Sequence, residues 1–406
     1  MPWRELSIMS SRREFVTMAS SPSLAGRGVS MAELCRRFGI SRKTGYKWLA
    51  RHRRGAPLDD RPRRPRSTPG ITPRHVAVRV LEARELHPAW GARKLAAWLE
   101  QRGLADVPSA STITRILHRH GLVDPAASRA ATALVRFERE RPNELWQMDF
   151  KGHVPMLRGG RCHPLAVLDD HSRFSLTVRA FDNEREGTVM PHLIEIFRRF
   201  GMPERILCDN GSPWGTGDGR ERSALSVWLL KLGVGVLHGR PSHPQTQGKL
   251  ERFNRTLKAE LLSRMDIRDI AHAQAMMDRW RERYNIERPH EALNNHPPAS
   301  RYRPSERAYP EQPVEPEYAP GEAVRRVGDG GIISYQGLQV RVGKGFIGER
   351  VAVRPTGRDG VVEVCLGPHA IGLLDLNAEP RSPRRRASLA TLAQPADAGN
   401  TPSPMS

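Results

Sequence analysis

Three acidic residues, each set in its own distinctive segment, constrain this 406-residue chain more than any other feature. Asp149 stands in Trp-Gln-Met-Asp-Phe, Asp209 in Leu-Cys-Asp-Asn-Gly, and Glu251 in Pro-Gln-Thr-Gln-Gly-Lys-Leu-Glu-Arg. For them to act together, the fold must gather a mid-strand position, a strand end and a helical face into one pocket. Carboxylates are hard oxygen ligands suited to Mg²⁺, and two such ions stabilise the attacking and leaving oxygens of an in-line displacement at phosphorus. Taken singly, each acid has a plain explanation: a polar strand residue, an Asx-turn, or half of a surface ion pair contributing less than about 1 kcal/mol. Taken together they point to phosphoryl transfer.

The phosphate is expected in nucleic acid. A formal net charge of +21 and a pI near 10.9 attract polyanions over long distances. An anionic membrane is the weaker reading, since no run of about 20 apolar residues is present and the N-terminus lacks the apolar block of a secretory signal. The expected location is cytoplasmic and nucleoid-associated, with no membrane partner. Cys35, Cys162, Cys208 and Cys365 form no C-x-x-C pair, so buried structural thiols are expected rather than a disulfide framework or a zinc knuckle.

Length predicts several domains. Met31 to Phe38 reads as a helix with Leu34 and Phe38 one turn apart, Gly39 supplies a turn, and Ser41 is placed to cap a second helix carrying Arg42, Lys43, Thr44, Tyr46, Lys47 and Trp48. This pattern is that of a helix-turn-helix, though a helical hairpin with a solvated charged face would share it. The adjoining segment favours DNA binding, because Arg51 to Arg66 holds seven arginines against two aspartates, interrupted by prolines. Ser7 to Gly28 shows no clear helical periodicity, which leaves the first helix of this unit open. A second helix-turn-helix is expected near Thr72 to Val123, with Ser111, Thr112, Thr114 and Arg115 on its candidate recognition helix.

Strands then alternate with helices: strands at Leu145–Pro155, Leu165–Asp169, Phe174–Ala180, Arg205–Cys208 and Gly235–His238, and long helices at about Gln247–Arg264 and Ile270–Tyr284. On the first strand, Asp149 shares a face with Gln147 and Lys151, while Trp146, Met148 and Phe150 point the other way. On the first long helix, Leu250, Phe253, Leu257 and Leu261 form the packing stripe, and Gln247, Glu251, Asn254, Arg255 and Lys258 are expected to share an adjacent face. Asp169 and Asp170, before His-Ser-Arg, are read as turn-forming. His238 and His243 are read either as loop residues near DNA or as structural, since no second ligand pair suits zinc. Short alternating strands beyond Pro320 predict a small β-barrel, and the Arg/Ala/Ser/Pro-rich residues from Arg381 a disordered tail.

Three blocks carry a resemblance: Trp146-Gln-Met-Asp, Asp209-Asn-Gly-Ser, and His243 to Lys258. Asp149 to about Tyr302 resembles the catalytic core shared by retroviral integrases and the DDE transposases of bacterial insertion sequences, and Tyr284-Asn-Ile-Glu-Arg-Pro-His-Glu-Ala-Leu resembles the transposase version. The tandem N-terminal units resemble those transposases as well. More residues separate Asp209 from Glu251 than the commonest spacing in such enzymes, an excess that the glycine-rich Gly215 to Arg222 loop accommodates at low entropic cost.

The expected organisation is multidomain: all-α helix-turn-helix units at 1–56 and 72–124, basic and connecting linkers at 57–71 and 125–142, and at 143–303 an α/β core with a mixed five-stranded sheet, which the resemblance implies is ribonuclease H-like. A Pro-rich linker at 304–319, a β-barrel at 320–378 and a tail at 379–406 complete it. Asp149, Asp209 and Glu251 would be the catalytic, metal-binding triad, holding two Mg²⁺ ions with Mn²⁺ as substitute. Gln247, Asn254, Arg255 and Lys258 would touch DNA near the scissile phosphate, as Arg42, Lys43, Thr44, Lys47 and Arg115 would elsewhere. The implied function is a transposase that binds terminal inverted repeats, nicks DNA and joins the freed 3′-OH to target DNA, as a dimer or higher oligomer. The alternative is a non-catalytic DNA-binding regulator derived from such an enzyme.

Overall fold

A helix occupies the stretch that periodicity left open: α1 spans Ile8–Ser20. Its packing stripe is short, the buried Phe15 and Val16 with the half-buried Ala19 one turn on, and the polar residues around it leave the pattern faint. Phe15 and Val16 pack on Leu34, Cys35 and Trp48 of α2 (Met31–Arg37) and α3 (Arg42–Arg53). Ser30 and Ser41 cap these helices, each side-chain oxygen accepting an amide three residues on. Gly39 sits at φ +64° between them, as the turn requires. Gly45 lets α3 approach closely, since a Cβ there would lie 2.5 Å from Cys35 Sγ.

The computed structural model describes residues 8–21, 29–60, 72–123, 138–209, 211–215, 222–238, 248–312, 315–378 and 386–390. It divides into two units, Met1–Ile71 and Thr72–Ser406.

The second unit begins with α4 (Arg74–Leu86), α5 (Ala92–Gln101) and α6 (Ala110–Arg119). Val80, Trp90, Leu95, Leu99, Ile113, Ile116 and Leu117 form their common core.

The central sheet contains β1 (Leu145–Phe150), β2 (Val154–Pro155), β3 (Arg161–Asp169), β4 (Ser175–Phe181), β5 (Arg205–Cys208) and β6 (Gly235–His238). Its five principal strands run in the order β4-β3-β1-β5-β6, with β2 pairing on one end of β3. β1 is antiparallel to β3 and parallel to β5, and β5 is parallel to β6, which makes the sheet mixed. The single strand expected over Leu145–Pro155 is broken at Lys151–His153, after which β2 pairs with the start of β3.

Helices cover both faces, in keeping with a ribonuclease H-like fold. Trp146 and Met148 face Val189, Leu193 and Phe197 of α7 (Glu186–Phe200) and Leu225 and Leu229 of α8 (Ala224–Lys231). The opposite face packs Ala166, Leu168, Val178 and Ala180 against α9 (Gly248–Leu257) and α10 (Ile270–Ile286). Leu250, Phe253, Leu257 and Leu261 are all buried there, each worth about 1.5–3 kcal/mol. The helix expected to run on to about Arg264 instead leaves α geometry after Leu257 and winds as a π-turn over Lys258–Leu262.

The C-terminal strands form two sheets. β7 (Ala323–Arg326), β10 (Arg350–Pro355), β11 (Val361–Leu366) and β12 (His369–Asp375) pair in the order β12-β11-β10-β7, and β8 (Ile332–Tyr335), β9 (Leu338–Arg341) and β13 (Arg386–Ser388) in the order β13-β9-β8. They share one core, to which Val227 and Leu230 of α8 contribute. The sheets meet at the isolated bridges Gly328↔Ile332 and Leu373↔Ala390, and no continuous pairing among the described residues closes them into the expected barrel. β13 lies in the stretch expected to be disordered and pairs in parallel with β9. Composition misleads there because strand pairing draws on backbone groups that arginine and alanine carry as well as any residue.

Candidate active site and nucleic-acid interface

Parallel pairing of β1 and β5 sets Trp146 beside Ile206 and Gln147 beside Leu207. Two residues further along each strand, Asp149 and Asp209 come to the same level. Burial, and then the negative charge of Asp209, push the Asp149 carboxyl up to about 7, against a backbone hydrogen bond from Phe150 that favours the ionised form. Asp209 is exposed, and its Oδ1 accepts the Gly211 amide at 3.0 Å, the Asx-turn foreseen for it. His238 Nδ1 donates to the Asp209 carbonyl at 2.9 Å, and burial holds that imidazole below its ordinary pKa. His238 thus braces the strand end that carries Asp209. Burial also pushes the Cys208 thiol up, so this neighbour of the acids stays protonated and inert. All four cysteines are free and buried.

Glu251 lies on the exposed side of α9 with Arg255 and Lys258. Asn254 departs from the expected face. It is 6% exposed, and its Oδ1 has no partner among the described residues. Positions 250, 254, 257 and 261 follow one another at helical spacing, so Asn254 belongs to the packing stripe rather than the polar face. Gln247, Asn210, His243 and residues 216–221 lie outside the described residues. The structure therefore brings Asp149 and Asp209 together, and among the described residues no three His, Cys, Asp or Glu side chains are grouped to hold a metal ion.

Sequence reasoning missed a buried polar cluster behind these acids. Asp169 does form the turn assigned to it, accepting Ser172 N at 2.7 Å and Ser172 Oγ at 2.5 Å. Asp170 lies in that turn as well, but its carboxylate reaches beyond it, accepting Lys249 Nζ at 2.5 Å, Gln147 Nε2 at 2.8 Å and Arg139 N at 3.0 Å. Gln147 Oε1 in turn accepts the Leu250 amide at 3.1 Å. Burial lowers the Lys249 ammonium to about 8, although Asp170 favours its charge. The available signal was a lysine at the start of a helix, where the macrodipole disfavours a cation without a nearby acid.

In the first unit, Arg42, Lys43 and Lys47 are exposed on α3, whereas Thr44 is half-buried and shares a hydrogen bond with Ser41 Oγ at 2.9 Å. Trp48, read as part of the recognition helix, is core, with Arg12, Lys47 and Arg51 over its ring at 4.1, 4.8 and 4.7 Å. On α6, Arg115 is exposed and bonds Thr112 Oγ1 at 3.0 Å. The arginines of the linker from Arg61 to Arg66 lie outside the described residues. Among the described residues no helix is long and apolar enough to cross a membrane.

Four family models match parts of the chain. Residues 139–244 and 232–298 match families described as Integrase core domain. Residues 322–381 match the IS481 family transposase C-terminal domain, and residues 44–117 a Homeodomain-like domain. The 31.7 kDa protein of insertion element IS407 from Burkholderia multivorans is 28% identical over 226 residues, covering 54% of this chain and 77% of that protein. The 39.2 kDa protein of insertion element IS476 from Xanthomonas euvesicatoria is 28% identical over 159 residues, 39% of this chain and 44% of its own length. Among solved structures, the HTLV-2 integrase catalytic core domain in complex with magnesium aligns with 40% of this chain and 97% of its own at 13% identity, with a TM-score of 0.30.

Proposed function

We propose, for a chain that carries the integrase-type core of bacterial insertion-sequence transposases, that it binds the terminal inverted repeats of its element and catalyses DNA nicking and 3′-OH strand transfer. The observation carrying this reading is the Asp149–Asp209 pair, two carboxylates level on adjacent parallel strands, one of which is pushed up to about 7 by burial and by the other. Such a like-charged pair is relieved by a divalent cation, so the donor set fits Mg²⁺, with Mn²⁺ as substitute. When bound, the metal would stabilise charge on the attacking and leaving oxygens at phosphorus.

Asp149 and Asp209 would hold it from the sheet and Glu251 from α9. Arg255, Lys258 and Gln247 would grip the phosphate backbone beside the scissile bond. Arg42, Lys43, Thr44 and Lys47 on α3, with Arg115 on α6, would read and hold the element's ends. Water and then the DNA 3′-OH serve as nucleophiles, so no covalent protein intermediate forms. The segments 1–56 and 72–124 take the recognition role and 143–303 the chemistry, in a homo-oligomer that pairs two ends in the cytoplasm.

The test is strand transfer on end-containing oligonucleotides. Asp149→Asn, Asp209→Asn and Glu251→Gln should each lower the rate by about a hundredfold or more, the scale of losing several kcal/mol of transition-state stabilisation. Wild-type rates in all three variants would sink the reading. A second reading, a DNA-binding regulator, is favoured by one observation: the three acids do not form an ion-holding group among the described residues. Tight end binding with no nicking in either Mg²⁺ or Mn²⁺ would select it.

A further inference from the structure

We propose that Lys249, Asp170 and Gln147 are positioning residues, a buried clamp that fixes the first turn of α9 against β1 and so sets the approach of Glu251 to Asp149 and Asp209. The proposal rests on the phosphoryl-transfer reading above.

Each arm of the clamp ends beside a member of the acidic set. Gln147 lies two residues before Asp149 on the same face of β1, and its Oε1 accepts the amide of Leu250, the residue before Glu251. That amide is one of the first donors of α9, which have no intrahelical partner, so the strand itself caps the helix. Lys249, on the other side of Leu250, donates to both the carboxylate and the carbonyl of Asp170. Asp170 directly follows β3 and holds the Gln147 amide nitrogen through its other oxygen. Three elements, β1, β3 and α9, are thereby tied through side chains of which Gln147 is 2% and Asp170 3% exposed.

Apolar burial alone does not accomplish this. The stripe of Leu250, Phe253 and Leu257 holds α9 onto the sheet, but hydrophobic contact is non-directional and leaves small slides and rotations nearly equal in energy. Buried polar groups have geometric demands that select one register, and they are costly when unmet. A cation in the first turn of a helix also opposes the macrodipole. A lysine at this position therefore serves placement better than helix stability.

The test uses the full chain with Lys249→Met, which keeps the aliphatic stem, and Lys249→Arg, which keeps the charge. The measurements are kcat and KM for end DNA as a function of Mg²⁺, Mn²⁺ binding by calorimetry without DNA, and melting temperature. Lys249→Met should weaken Mn²⁺ binding and raise the Mg²⁺ midpoint by about tenfold or more, the cost of losing a group that orients a metal ligand. It should lower kcat while KM for end DNA holds, and Lys249→Arg should recover most of the loss. If Lys249→Met does not fold, Asp170→Asn, nearly isosteric, carries the same expectations. Unchanged Mn²⁺ binding and Mg²⁺ midpoint, or equal impairment by Met and Arg, overturns the clamp. A wild-type protein that binds Mn²⁺ but never nicks DNA overturns the function reading instead, and the calorimetry still decides the clamp.

Discussion

The two halves of the acidic site are held by different forces. Asp149 and Asp209 ride on β1 and β5, whose spacing is set by backbone hydrogen bonds and by side chains such as Trp146, Met148 and Ile206 with no exposure at all. Glu251 rides on α9, held by an apolar stripe and the Lys249–Asp170–Gln147 cluster, followed at once by a π-turn and carrying the buried Asn254, whose Oδ1 has no partner among the described residues. The π-turn closes the C-terminal end of the helix, where such turns commonly end helices. The difference teaches that the sheet presets one part of the site through its backbone, while the other depends on a few side-chain contacts that single substitutions remove.

The sharpest way to break this comparison is to hollow out each half. Met148→Ala and Leu257→Ala remove fully buried side chains, and each should destabilise the fold by about 2–5 kcal/mol in denaturant titrations. Only Leu257→Ala should also raise the Mg²⁺ concentration needed for half-maximal nicking. If both raise it equally, the halves do not differ.

A smaller effect comes from the acids themselves. In the metal-free protein Asp149 holds its proton up to about 7, whereas in the unfolded chain it releases it near 3.8. The folded state therefore binds more protons between those values, and stability falls as pH rises across that window, with the full penalty present above it. Asp149→Asn should raise the metal-free melting temperature at pH 8 by a few degrees, on the order of 1–2 kcal/mol after solvent relaxation, and change little near pH 4. The same variant should be catalytically dead. An unchanged or lowered melting point would show that the strand pair is not strained.

The smallest effect tests how far the half held by side chains extends, at a histidine that feels the charge of Glu260 in the π-turn. His87 stacks on Trp90 at 3.7 Å and is lowered to about 4, mainly by burial and then by Arg283, with Arg102 acting the same way and Glu287 and Glu260 opposing. Its imidazole is neutral in the fold, so stability that is intact above 6.5 is lost as pH falls toward 4. Thermal melts should lose on the order of 1 kcal/mol over that range, and His87→Gln should flatten the loss. An equally steep profile in the variant would place the acid sensitivity elsewhere.

Legibility in the sequence divides along the same line. β5 and β6 were legible to the residue because short apolar runs stand between turn formers, and the Ser41 cap and the buried stripe of α9 announced themselves by spacing. Asp149 and Asp209 were legible as a pair of contexts, and parallel register then did the rest. Features that depend on tertiary partners were not legible. Asn254 looked solvent-facing because amides usually are, nothing near Asp170 in sequence shows that its turn is also reached by Lys249 from α9, and nothing local distinguishes a π-turn from one more α-turn. The break at Lys151–His153 and the two-sheet form of the C-terminal strands likewise arise from how strands meet rather than from their composition.

The parallel seat of β13 on β9 bears on how this protein should be handled in the laboratory. A shortened version ending near residue 378, chosen because the remaining composition resembles a dispensable tail, would strip one border from the β13-β9-β8 sheet and leave β9 with open amides and carbonyls. Bare strand borders recruit other chains, so such a truncation invites self-association that would be mistaken for an assembly on DNA.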